Sequence, residues 1–248
     1  MNKMIVLKQG ILIVISILSI TLFSCINDKP RTEGEGTVTT RVLSVSDFSG
    51  VDLTFANNVT IKQGDIQEVK ATGHPNIIDK ISTSVSNDIW KIGLENGWYR
   101  NYDLSIEITI SNLDRLELSG SGNLVVNDFI NQNTLDIVIS GSGNINLREF
   151  EGSKNLNVNL SGSGDFKANK DIITLNDLTV ENSGSGNYLG FEISSNNVTI
   201  ISSGSGICEF TAVNSLNAMI SGSGNVYYEG IPSIKQNITG SGKLINAN

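Results

Sequence analysis

The chain has 248 residues, enough for one or two domains with a sizeable core. It carries 17 Lys+Arg against 25 Asp+Glu, a formal net charge of −8, and removal of Lys3 and Lys8 with an N-terminal leader makes that −10. Such a surface repels phosphate backbones and argues against nucleic acid as a partner, while regularly spaced Ile, Leu and Val argue against disorder.

Residues 1–24 read as a lipoprotein signal peptide. Lys3 and Lys8 make its positive start, and the apolar run from Ile11 to Phe23 is too short for a comfortable membrane span. Leu22-Phe23-Ser24-Cys25 resembles a bacterial lipobox, with Phe23 departing from the usual small residue. The resemblance implies cleavage before Cys25, lipid on Cys25 and attachment to a membrane through that anchor. The expected location is the outer membrane, facing the periplasm or the cell surface. Only two cysteines exist, so a lipidated Cys25 leaves Cys208 as a free thiol, expected to pack in the core.

Residues 25–40 place Pro30, Gly34 and Gly36 among charges with no apolar period, and read as a flexible tether. Residues 41–248 read as a single β-solenoid domain. From Val42 to Ile110 the pattern is β, with turns at Gln63-Gly64-Asp65 and Glu95-Asn96-Gly97 and a short helical turn within 76–82.

From Leu113 one unit repeats to residue 246. Its marks are the tetrapeptides that begin at Ser119, Ser140, Ser161, Ser183, Ser203, Ser221 and Thr239, spaced by 18 to 22 residues. Repeats near 20 residues mark solenoids. Apolar residues alternate before each tetrapeptide (Leu135, Ile137, Ile139) and after it (Ile145, Leu147), with phase kept across it. That phase turns the two glycines inward and the two serines outward, so the backbone bends or packs closely there. The following residue, Asn123, Asn144, Asp165, Asn187 or Asn225, lies outside, and stacked coils would form Ser and Asn ladders. The predicted fold is all-β: a single-stranded parallel β-helix of about seven rungs with a β-rich N-terminal portion. Segment 42–110 would cover its first rung; Pro232, Lys235 and Lys243 would blunt the edge of its last.

Phe48-Ser-Gly-Val51, Asn58-Val59-Thr-Ile61 with Gln63-Gly64, the Ile89–Ile92 and Leu113–Leu118 strands and the repeated SGSGN are together similar to one family, the "putative auto-transporter adhesin, head GIN domain" lipoproteins of Bacteroidetes-type bacteria. The resemblance spans about 45–246. It implies a right-handed parallel β-helix body and carries no functional residue with it.

No catalytic, cofactor or metal site emerges. The repeats offer Ser hydroxyls and Asn amides where a hard cation wants several carboxylates. Asp114, Glu117, Asp136, Asp165 and Glu181 fall at non-equivalent rung positions, whereas a carbohydrate-active enzyme on this scaffold, the alternative reading, needs paired acids in a cleft. The single His74 sits beside Pro75 in a turn. Trp98, Tyr99 and Tyr102 lie in a turn between strands, where they either cap the open end of the core or stack on a ligand. The expected protein is a non-catalytic envelope lipoprotein that binds a glycan or an envelope protein, or associates with itself.

Overall fold

The computed structural model describes residues 31–248 except 128, 131, 149, 152–153 and 170–171, so the leader and Cys25 lie outside the described residues. The N-terminal part holds β1 (Arg31–Glu33), β2 (Thr39–Val42), β3 (Gly50–Leu53), β4 (Asn58–Gln63), β5 (Glu68–Gly73), helix α1 (Pro75–Ile78), β6 (Val85–Ser86), β7 (Ile89–Ile92), β8 (Trp98–Arg100) and β9 (Leu104–Ile110). The repeats supply β10 (Arg115–Leu118), β11 (Asn123–Asn127), β12 (Phe129–Ile130), β13 (Thr134–Ile139), β14 (Asn144–Leu147), β15 (Phe150–Glu151), β16 (Asn155–Leu160) and β17 (Phe166–Ala168). They end with β18 (Ile172–Asn182), β19 (Tyr188–Ser202), β20 (Cys208–Ile220), β21 (Val226–Glu229), β22 (Ser233–Ile238) and β23 (Leu244–Asn246).

The repeats stack in register as parallel coils, as the alternation predicts. Before the tetrapeptide, Leu116 pairs with Ile137, Ile137 with Val158 and Val158 with Val180, all inward and buried. After it, Leu124 pairs with Ile145, Ile145 with Phe166 and Phe166 with Tyr188. The rings of Phe166 and Tyr188 stack at 5.0 Å and 7°. Each coil hides its apolar face only because a neighbour supplies the other wall and the other half of the hydrogen bonds.

Between these two columns sits the tetrapeptide. The second glycine of each is buried and the serines are exposed. A side chain on Gly141, Gly162 or Gly184 would overlap the carbonyl oxygen of the matching glycine in the coil beneath. The glycines therefore serve close backbone stacking. The residue that follows forms the expected ladder. Asn123 Nδ2 donates to Asn58 Oδ1 at 3.0 Å, Asn144 Nδ2 to Asn123 Oδ1 at 3.1 Å, and the Asp165 amide to Asn144 Oδ1 at 3.1 Å. Asn187 donates twice to Asp165 Oδ1, from its backbone and its side chain. Among the described residues the serines make no matching ladder; Ser119 instead donates to Asp52 Oδ1 at 2.8 Å.

The N-terminal coils do not stack in chain order. The coil of β3 and β4 lies directly against the first repeat, β10 and β11. The later coil of β7 and β9 lies on its far side. Strands β5, β6 and β2 then close that end with antiparallel pairs. The β6–β7 hairpin turns on Asn87 and Asp88, both at positive φ (52° and 60°), the pattern of a tight primed turn. Segment 42–110 thus covers the first repeat, as expected, with its two coils in inverted order. Trp90 is fully buried beneath the cap, 5.4 Å from the Phe48 ring, and its Nε1 donates to the Ser82 carbonyl at 2.9 Å. The stretch read as a tether departs from that reading from Arg31 on: β1 pairs with β8 and β2 with β5.

Three glutamine amides stand in for missing strands where coils change shape. Gln63 Nε2 donates to the carbonyls of Ile130 and Ser111, at 3.2 and 3.0 Å, and its Oε1 accepts from the Ile130 amide at 3.0 Å. Buried Gln132 accepts from the Leu113 amide and donates to the Ile130 carbonyl. Gln67 accepts from the Phe48 amide and donates to the carbonyls of Val45 and Ser46. Each satisfies backbone groups that would otherwise be orphaned.

One inward column of the core turns polar part-way along. The position before the tetrapeptide is Leu118, Ile139 and Leu160 in three coils, then buried Asn182 and Ser202, then Ile220. Asn182 Nδ2 donates to the Gly186 carbonyl at 2.8 Å and lies 3.8 Å from the Cys208 sulfur. Cys208 is buried in register with Tyr188 and Val226, a free thiol in the core as expected.

Candidate functional site: the aromatic turn

Register defines the place of the aromatic residues. Ile92 pairs with Leu53 and Ser105 with Asn58, so residues 93–104 occupy the position that four tetrapeptide residues fill in the repeats. The coil beneath is altered to match. Leu53 and Asn58 align with Leu118 and Asn123, which puts Phe55 and Asn57 where the repeats carry Gly120 and Gly122. Side chains are tolerated there because the overlying backbone has been lifted into a long turn, and they hold that turn in place. Asn57 Nδ2 donates to the Leu104 carbonyl at 2.8 Å, and the Tyr102 hydroxyl donates to Asn57 Oδ1 at 3.1 Å.

Tyr99 and Tyr102 meet edge to face, with ring centroids 6.2 Å apart at 74°. Both are partly buried against the core, and the Tyr99 hydroxyl donates to the Glu95 carbonyl at 2.8 Å. Burial, and then the neighbouring Tyr99, raise the pKa of the Tyr102 hydroxyl. With Phe55, Leu94 and Gly97 the two tyrosines line an open cleft of about 310 Å³.

Trp98 does not join them. Side chains alternate along β8, so Tyr99 faces the core while Trp98 and Arg100 face out. Trp98 is 60% exposed. The strand that carries it is braced on its free side by β1, with Thr32 opposite Tyr99. Arg100 Nε donates to Glu33 Oε1 at 2.7 Å, and that hydrogen bond with the Arg100 charge holds the Glu33 carboxyl below its ordinary range. Lys80 ties the other limb of the turn through Glu95 at 2.9 Å. Of the three aromatics singled out in the sequence, the structure brings two together as a wall and sets the third on the outer surface.

The remaining candidates have structural occupations. His74 Nδ1 accepts from the Asp103 amide at 3.1 Å, just before α1. Glu117 accepts from Arg115 Nε at 2.5 Å, and Asp136 accepts from Asn157 Nδ2 at 2.8 Å. Among the described residues no group of three or more His, Cys, Asp or Glu side chains could hold a metal ion.

A capped parallel β-solenoid with polar ladders outside and a braced aromatic turn at one end belongs to the class of repeat-built, all-β solenoid proteins. Within that class, the family "Putative auto-transporter adhesin, head GIN domain" matches residues 47–232, and the chain belongs to it. Among solved structures, a "putative adhesin" from Bacteroides fragilis is similar, at 25% identity and a TM-score of 0.79 over 87% of this chain and 99% of that one. A "putative lipid binding protein" from Parabacteroides distasonis shares 24% identity with a TM-score of 0.71, over 88% of this chain and 100% of that one. A "putative adhesin" from Parabacteroides merdae shares 17% identity with a TM-score of 0.70, over 88% and 99%. These are likenesses of fold, and none of the three is described as an enzyme. No curated protein matches the chain.

Proposed function

We propose that the chain is a non-catalytic adhesin of the cell envelope. Residues 1–24 export it, lipid on Cys25 holds it to the outer membrane, and the solenoid carries the turn 98–102 outward as its ligand contact. The observation that carries this reading is Trp98, a large aromatic kept 60% exposed on a strand paired to β1 and tied by Arg100 to Glu33. An exposed tryptophan on a rigid strand loses little entropy when a sugar ring or an apolar partner group lies on it. The cleft lined by Tyr99, Tyr102 and Phe55 offers a second place for a ligand group. With Lys3 and Lys8 removed in the leader the net charge is −10, which favours a neutral or basic ligand over an acidic one, and a neutral glycan fits best.

A glycan array probed with the parent chain and with Trp98→Ala tests the contact. Binding that disappears in Trp98→Ala at unchanged melting temperature supports the reading; equal binding by both chains overturns it. Palmitate labelling lost in Cys25→Ala supports the anchor, and unchanged labelling refutes it.

A further inference from the structure

The strand that carries Trp98 also meets the chain as it arrives from Cys25. Strand β1 pairs with β8 in parallel, with Arg31 directly opposite Trp98 and Glu33 opposite Arg100. Register partners in a parallel pair share a face, so Arg31, Trp98 and Arg100 look out together while Thr32 and Tyr99 turn inward. Arg100 is taken up by Glu33. Arg31 is exposed and makes no ion pair among the described residues. A cation therefore lies beside an indole that is 60% exposed.

Arg31 follows Cys25 by six residues. A fully extended chain gains about 3.5 Å per residue, so the Arg31 backbone stays within about 20 Å of Cys25, and Trp98 lies one strand spacing further. The other end of the solenoid is much more distant. Eight parallel pairings lead from β7 to the last rung at β22, about 38 Å at the ordinary spacing of strands.

We propose that the outer face of β1 and β8 docks on the headgroup layer of the membrane that holds Cys25, with Trp98 among the headgroups and Arg31 against their phosphates. Docking of this kind rests on the proposed lipid at Cys25 and the proposed contact at Trp98, and it gives the ligand a source: the chain's own membrane. The face that looks out from the solenoid at Trp98 looks back at that membrane. A tryptophan suits such a layer, with an apolar ring for the acyl boundary and an N–H for the wet side. A guanidinium forks onto phosphate oxygens. The tether makes the contact intramolecular, so a weak one is populated in spite of the chain's overall negative charge.

Fluorescence quenching tests this on the full lipidated chain in phosphatidylcholine vesicles that carry a nitroxide on the headgroup. The chain has two tryptophans and Trp90 is fully buried, so the label reports on Trp98. The parent is expected to lose about half its emission, the share of Trp98, and Trp98→Phe, which keeps Trp90, almost none. Arg31→Glu sets an acid against the phosphates and is expected to reduce the loss about twofold. Quenching that is absent from the parent, equal in the parent and Trp98→Phe, or untouched by Arg31→Glu overturns the docking. Palmitate labelling of the same preparation separates this result from the fate of the anchor. A chain without palmitate overturns the anchor and the docking with it. A palmitate-bearing chain without quenching overturns the docking alone, and leaves glycan binding on the array to be read by itself.

Discussion

The Tyr102 hydroxyl donates to Asn57 Oδ1 at 3.1 Å, a bond between two neighbouring coils at the position where the repeats have only glycine. It joins the turn that carries the aromatic residues to the coil that supports it. Tyr102→Phe leaves the ring and removes the donor. The expected cost is about 1 kcal/mol, read as a lowered denaturation midpoint, with faster amide exchange at 98–103 and little change in the repeats. Uniformly unchanged exchange would show that the bond does not restrain the turn.

Cys208 makes the fold sensitive to alkali. Burial, offset in part by the hydrogen bond from Asn182, pushes its thiol up to about 11 from an ordinary 9.0. Below the ordinary value the thiol is protonated in both states, and its packing contributes fully to stability. Between about pH 9 and 11 only the unfolded chain ionises, so stability falls as pH rises, by about 2–3 kcal/mol across the window. Tyr188, raised by burial, adds to the same trend at higher pH. Urea midpoints at pH 8 and 10.5 should show the fall, and Cys208→Ala should lessen it. Equal slopes in parent and variant would contradict this. The native thiol should also resist alkylation at pH 8 and react fully in urea.

Gln63 completes the backbone pairing of Ile130 with one side-chain amide. Gln63→Glu keeps the acceptor for the Ile130 amide but turns a carboxylate oxygen toward two carbonyls. A loss of about 1–2 kcal/mol at pH 7 is expected. Repulsion from those carbonyls raises the folded pKa of the new carboxyl, so the lost stability returns as pH falls through the carboxylate range, where the protonated oxygen donates again. Denaturation midpoints at pH 7 and pH 3.5 check both the size and the direction.

The repeats were legible because their signal is local. Alternation on both sides of each tetrapeptide fixes which residues face inward, and one phase then places the glycines, the serines and the ladder residues from Asn123 to Asn225. The inverted order of the first two coils was not legible. Leu53 and Ile92 alternate alike with their neighbours, and parallel pairing leaves no mark of which coil lies outside. The glutamine braces were hidden because, apart from the bond of Gln132 to Ile130, they act on backbone 19 to 67 residues away along the chain. The aromatic site was half legible: composition marks the cluster at 98–102, whereas the separation of Trp98 from Tyr99 needs the strand β8, which only its pairing with β1 defines. The polar break in the core lies open in the sequence, at Asn182 and Ser202 where Leu118, Ile139 and Leu160 set the pattern.

The tetrapeptide glycines let backbones stack, and the aromatic turn occupies the position where stacking has been released. Moving the residues of that position into the repeats tests it most directly, as the urea transition of Gly141→Phe with Gly143→Asn. The carbonyl oxygens of Gly120 and Gly122 occupy the space those side chains need, so the account predicts loss of the cooperative transition. A variant that unfolds cooperatively at the parent midpoint would contradict it.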